Sequence, residues 1–212
     1  MLCSGRIKRM RIQLSDFFDF DDPGCSWKLS DKRYEEIKEI VVSTFEKYGV
    51  NCVPVSGFEL ATKMGITVIP YSAYKPEIQV LLKKKSDDGF CAQKQDGSWH
   101  IFYNDDRDYG RINNTMLHEI GHTVLDHSED SELAESEVKF FAKYALVPPV
   151  LVLKLNLESA EEIQDVFDVS YQAAIYAWEY YQKWLGRNTD YTAYEIRLLN
   201  LFEKSLVGGG AN

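Results

Sequence analysis

The sequence predicts a single α+β domain in which helices surround a small antiparallel sheet. Three observations predict it: an amphipathic helix near the amino end, two strand-like runs around an Asp-Gly pair, and a helical carboxyl-terminal half. An order of helices, then strands, then helices is typical of the α+β class. The 212 residues suffice for one domain with a sizeable core.

The first two helices are indicated by their caps and their apolar periodicity. Ser30 precedes a stretch, 31–48, in which apolar residues recur every three or four positions, and Gly49 is placed to end that helix. The run Ser56–Glu59 has a serine followed three residues later by a glutamate, which is a capping box. It predicts a short helix that Gly65 ends.

The strands follow these two helices. Residues 66–71 are rich in β-branched side chains and predict a strand that ends near a proline. The pair Asp96-Gly97 separates two further runs, 89–94 and 98–104, and is a strong signal for a hairpin. Residues 72–88 fit a strand and a helix equally well.

The second half reads as helices throughout. Two are predicted over 113–127 and 131–146, and three more begin near the cap residues Ser159, Ser170 and Thr189 or Asp190. We divide the chain into a partly irregular extension, one domain with a core and carboxyl-terminal helices, and a disordered glycine-rich tail. Their ranges are 1–29, 30–206 (core 30–155, helices 156–206) and 207–212.

Composition excludes several classes of protein. A formal net charge of −9 argues against direct DNA or RNA binding, which needs a basic face. No apolar run reaches the roughly 18 residues of a membrane span. The basic start is interrupted by Ser15-Asp16 before any apolar segment, so a signal peptide is not expected. The four cysteines show no C-x-x-C spacing, and we expect a cytoplasmic protein with free thiols.

The predicted helix 113–127 contains His118-Glu119-Ile120-Gly121-His122, an H-E-x-x-H pattern. Residues four apart lie on one helix face, so the two imidazoles can bind one metal ion, and the glutamate can act on a water there. This is the zincin pattern, although a surface helix with two solvated histidines is the alternative for so short a match. Gly121 costs about 1 kcal/mol relative to alanine inside a helix, which indicates close packing by another element.

A third metal ligand must come from outside the motif, because catalytic zinc takes three protein ligands and keeps one position for water. The next predicted helix is rich in carboxylates, and Glu135 and Glu137 flank its apolar face on opposite sides. Periodicity does not choose between them. His127 is another candidate, but on a helix continued that far it points about 140° away from His122. Its ordinary role is a hydrogen bond at the helix end.

The stretch Asn113–His127 resembles the T-x-x-HE-x-GH-x-x-L-x-H signature of the ImmA/IrrE family of metallopeptidases. The chain continues with EVKFFA at 137–142 and LVP at 146–148, where that family has E-A-N-x-F-A and L-M-P. Val-Lys in place of Ala-Asn departs from the family pattern. VSYQA at 169–173 resembles the family's later V-S-x-x-A helix, and the resemblance covers residues 30–185.

This resemblance implies a zincin-like core of the gluzincin type, with His118, His122 and Glu137 as metal ligands and Glu119 as the general base. The implied metal is Zn²⁺, with Mn²⁺ or another divalent ion as the alternative. The implied activity is a metalloendopeptidase that cleaves one specific partner protein. That partner is expected to be a helix-turn-helix repressor of a mobile element or stress response.

Two other functions stay open: a metal-binding regulator that sequesters a repressor or toxin without cutting it, and hydrolysis of a non-protein amide. Glu119 favours an enzyme, because a pure binder has no need of it. Tyr103 is a candidate donor to the oxyanion, although a strand tyrosine more often serves in packing. We also expect the strand 98–104 to offer an edge to an extended peptide substrate.

Overall fold

The computed structural model describes residues 28–127, 131–187 and 190–208. Within these ranges helices flank one small sheet, as the α+β prediction requires. The helices are α1 (Asp31–Tyr48), α2 (Gly57–Lys63), α3 (Pro76–Lys85), α4 (Tyr109–Val124), α5 (Glu132–Leu146), α6 (Pro149–Lys154), α7 (Ala160–Phe167), α8 (Tyr171–Leu185) and α9 (Ala193–Gly208). The strands are β1 (Thr67–Pro70), β2 (Gly89–Gln93) and β3 (Trp99–Tyr103), and a 3-10 turn covers Tyr71–Ala73.

The sheet is mixed, so the prediction of an antiparallel sheet is correct for the hairpin alone. Strand β3 lies in the centre, where Ile101 is opposite Cys91 of antiparallel β2 and opposite Val68 of parallel β1. Helix α3 and β2 lie between β1 and β3 in the sequence, and this long connection permits parallel pairing. Both edges of β3 are therefore paired, and the expectation that 98–104 offers a free edge is wrong.

The predicted serine caps are present, whereas the cap expected for the last helix at Thr189 or Asp190 is formed by Thr192, whose Oγ1 accepts from the Glu195 N–H. The side chain of Ser30 accepts a hydrogen bond from the Arg33 N–H at the start of α1, and that of Ser56 accepts one from the Glu59 N–H at the start of α2. Gly49 ends α1 with φ of 65°, a left-handed conformation that glycine adopts without strain. Serines also cap three later helices, α5, α7 and α8.

Helix α4 is the element around which the core is built. Its residues Met116, Leu117 and Ile120 are fully buried, and it packs against α2, α5 and the sheet. The side chain of Asn113 is also buried, where its Oδ1 accepts from the Gly57 N–H and its Nδ2 donates to the Val55 carbonyl. These two bonds fix the loop before α2 on α4.

Some predicted boundaries differ from the observed ones. Helix α4 starts four residues before the predicted position and ends at Val124, because Asp126 has a left-handed φ of 56°. The predicted tail 207–212 overlaps α9 by two residues, and 209–212 lie outside the described residues. Of the predicted extension, 1–27 lie outside them as well. No helix in the described part of the chain is long and apolar enough to cross a membrane.

Candidate metal centre

Two helices bring three metal-ligating side chains together. His118 and His122 stand one turn apart on α4, with 5.1 Å between their ring centroids. Glu135, in the first turn of α5, reaches both of them across the helix contact. Its Oε1 lies 3.2 Å from His122 Nε2, and its Oε2 lies 3.5 Å from His118 Nε2.

These distances fit one small metal ion. Ligand atoms held about 2.0–2.1 Å from a tetrahedral zinc ion are separated from one another by roughly 3.3 Å. One ligand atom from each of His118, His122 and Glu135 lies within 4.8 Å of the others. Two imidazoles and a carboxylate are a donor set that zinc and several other divalent metals accept, and three such ligands leave a position open for a substrate or water.

The expected protonation states also suit metal binding. Burial lowers the pKa of His118 from 6.5 to about 4, against the raising effect of Glu135, so this imidazole is neutral at neutral pH. The hydrogen bond with His122 holds the pKa of Glu135 below its ordinary value, so this carboxylate is charged. A neutral imidazole and an ionised carboxylate are the forms that ligate a metal.

The resemblance implied Glu137 as the third ligand, but Glu137 lies elsewhere, and the structure places Glu135 beside the two histidines. The Glu137 carboxylate is buried and accepts two hydrogen bonds from Arg33, at 2.7 Å from Nε to Oε1 and 2.7 Å from Nη2 to Oε2. Those bonds lower its pKa. Glu137 faces α1 because it stands on the side of α5 opposite to Glu135.

His127 lies next to His122 rather than pointing away from it. The prediction assumed a helix continued to residue 127, whereas the left-handed Asp126 turns the chain back. The His127 N–H then donates to the His122 carbonyl at 3.2 Å. The two rings meet edge-to-face, with an interplanar angle of 73° and 3.3 Å between their Nδ1 atoms. His127 Nε2 lies 2.9 Å from Glu137 Oε2.

Glu119 is buried beside His118, His122 and Glu135, the three candidate ligands, and is held in place by the sheet. The backbone N–H of Cys91 in β2 donates to its Oε2 at 2.8 Å. Burial raises the pKa of Glu119 above its ordinary value, although His122 and the Cys91 N–H act in the opposite direction. A carboxylate with a raised pKa is a stronger base, which suits a group that accepts a proton from water.

The predicted close packing at Gly121 is confirmed, since a Cβ there would lie 3.2 Å from Val138 and 3.2 Å from Phe141 of α5. Tyr103 contacts Phe58 edge-to-face, with 5.4 Å between centroids, which is the packing role of a strand tyrosine. Sequence reasoning missed Arg33. It stands 104 residues before its partner Glu137, and no local pattern links two residues so far apart.

Comparison with known proteins supplies one match. A family model described as the IrrE N-terminal-like domain, Peptidase_M78, matches residues 61–179, which is more than half of the 212 residues. The matched range runs from α2 to α8 and includes the residues discussed above: His118, Glu119, His122, Glu135 and Glu137. No curated protein matches the chain.

Proposed function

Since the chain belongs to the ImmA/IrrE family of metallopeptidases, we propose that it is a zinc-dependent endopeptidase. We propose further that it hydrolyses a peptide bond in one specific partner protein, a helix-turn-helix repressor of a mobile element or stress response. The observation that carries the catalytic part is the position of Glu119, buried beside a group of His118, His122 and Glu135. That arrangement supports a gluzincin-type site in which Glu135 is the third ligand.

A metal ion in this site would polarise a substrate carbonyl and lower the pKa of a water molecule. The residues of the chain do the rest. His118, His122 and Glu135 would hold the ion, and Glu119 would take a proton from the attacking water and deliver it to the leaving amine. The Cys91 N–H keeps the Glu119 carboxylate oriented throughout, because that bond comes from a strand and not from a mobile side chain.

The substrate is expected to lie along β2, which is the edge strand next to α4. The backbone carbonyl of Asp88 accepts from the Asn104 N–H, and the backbone N–H of Lys94 donates to the Ser98 carbonyl. The backbone groups of the even-numbered residues of β2 therefore point toward β3. The backbone groups of the odd-numbered residues therefore face the free edge. Cys91 uses its edge N–H for Glu119, and Gln93 leaves backbone groups with which an extended peptide can pair.

The test is metal content and proteolysis on the same preparation. Wild type and Glu119→Gln are loaded with zinc and mixed with helix-turn-helix proteins encoded beside this chain, and the products are identified by mass spectrometry. We expect one specific cleavage by wild type and none by Glu119→Gln, with equal zinc in both. Equal zinc and tight binding of a repressor that neither protein cuts would instead identify a regulator that sequesters its partner.

A further inference from the structure

The geometry points to a role for Arg33, Glu137 and His127 as positioning residues that orient His122 toward the metal. This inference rests on the proposed metal site, because it concerns how one of its ligands is held. The three residues are far apart in the sequence: Arg33 lies in the first turn of α1, Glu137 in α5 and His127 in the turn after α4. Together they form a chain of hydrogen bonds that ends on the side of His122 facing away from Glu135.

Each contact in this chain has hydrogen-bond length. Arg33 donates twice to Glu137, from Nε and Nη2, at 2.7 Å each. His127 Nε2 lies 2.9 Å from the same carboxylate, and His127 Nδ1 lies 3.3 Å from His122 Nδ1. The other nitrogen of His122, Nε2, faces Glu135. The hydrogen-bond chain therefore ends at Nδ1 of His122, the ring nitrogen that is not directed to the metal.

The order of donors along this chain is determined by its two ends. A histidine that binds metal through Nε2 carries its proton on Nδ1, so His122 Nδ1 must donate to His127 Nδ1. His127 then carries its own proton on Nε2 and donates it to Glu137, which is an acceptor. Arg33 has donors only and holds that carboxylate on its other side. In this arrangement each hydrogen-bond donor of the series faces an acceptor.

Metal-binding histidines in general donate their second N–H to a group that fixes ring orientation and tautomer, and losing such a partner weakens metal affinity roughly 10- to 100-fold. Here the partner of His122 is a second histidine, which is itself held by a buried carboxylate. The local fold makes this arrangement, because the left-handed Asp126 turns His127 back onto the last turn of α4.

A purely structural role for these residues is the competing explanation. The ion pair of Arg33 and Glu137 also joins α1 to α5, so its loss can lower stability with no effect on the metal. The two roles differ in what they predict for zinc. A positioning role weakens zinc binding in folded variants, whereas a structural role changes the melting temperature alone.

The experiment compares Glu137→Gln, His127→Phe and the double variant Arg33→Met/Glu137→Gln, which removes both charges and leaves neither buried alone. Zinc affinity is measured by competition with a chromophoric chelator, and the Co²⁺-substituted proteins are compared by visible absorption. The matched control is Glu46→Gln. It makes the same change at a glutamate that lies on α1, where Arg197 binds it at 2.8 Å, about 20 Å along the helix from Arg33.

We expect zinc affinity to fall roughly 10- to 100-fold in all three variants, with a changed Co²⁺ spectrum, and to stay at the wild-type value in Glu46→Gln. Combining Glu137→Gln with His127→Phe should weaken zinc binding no more than the stronger single change, because both act through His122. Wild-type affinity and spectrum in the folded variants would overturn the inference. Failure of the proposed function is a separate result, seen as absence of zinc binding or cleavage in wild type.

Discussion

Replacing Gly121 with valine is expected to damage both the fold and the metal site, because α5 packs closely against this glycine. A Cβ at this position would lie 3.2 Å from Phe141 Cδ1 and 3.2 Å from both Val138 Cβ and Cγ1. These atoms belong to α5, so a larger side chain pushes the two helices apart. The 3.2 Å contact between His122 and Glu135 spans the same pair of helices.

The size of the effect follows from two opposing terms. Alanine removes a helix penalty of about 1 kcal/mol while its Cβ requires a small shift of α5, so Gly121→Ala should change stability by less than about 1 kcal/mol. Valine adds two further methyl groups to a filled space, and such overpacking costs about 1–3 kcal/mol. At roughly 2–4 °C per kcal/mol for a chain of this length, Gly121→Val should melt roughly 2–12 °C below wild type.

Thermal unfolding of the metal-free protein and zinc titration check this prediction. The matched control is Gly110→Ala in the first turn of α4, where the nearest atoms to an added Cβ are 3.5 Å and 3.7 Å away. That variant should keep the wild-type zinc affinity and melt at or slightly above the wild-type temperature. A Gly121→Val protein with unchanged melting temperature and zinc affinity would refute the idea that close helix packing sets the ligand geometry.

Three further predictions concern other parts of the molecule. Asn113→Ala should destabilise the fold by about 1–3 kcal/mol in urea unfolding, because the buried Gly57 N–H loses its acceptor; wild-type stability would contradict this. Because the pKa of His118 is lowered from 6.5 to about 4, its protonated form is disfavoured in the fold. The free energy of unfolding of the metal-free protein should therefore decrease by roughly 3 kcal/mol as pH falls from 6.5 to 4. The His118→Phe variant should not show this decrease. Gln93→Pro should abolish cleavage while zinc binding persists, because proline removes the N–H at the edge of β2; Gln93→Ala is the control, and equal cleavage by both would exclude pairing there.

The parts of the fold that sequence predicted are those with local signals. Helix α1 was predicted over 31–48 and spans Asp31–Tyr48, because its cap and its terminal glycine are both within the segment itself. The hairpin was likewise indicated by its own turn. Helix α3 was not predicted, since none of its residues is buried and its sequence lacks a clear apolar face. The parallel pairing of β1 with β3 depends on residues about 30 positions apart, which no local pattern records.

The same distinction applies to the site. Two histidines one helical turn apart were predictable, because their spacing on α4 determines their common face. The choice between Glu135 and Glu137 was not, because it depends on how α5 is rotated against α4 and on Arg33, which binds Glu137 from α1. The position of His127 depended on one residue, Asp126, whose left-handed conformation ends α4 early.

The most direct test of the account is zinc affinity and repressor cleavage for wild type, Glu119→Gln and Glu135→Gln. The account predicts that Glu119→Gln binds zinc as wild type does and cuts nothing, because it retains all three ligands and lacks the base. Glu135→Gln should lose more zinc affinity than any variant of Arg33, Glu137 or His127, because it removes a ligand. Wild-type zinc affinity in Glu135→Gln, or cleavage by Glu119→Gln, would contradict the account.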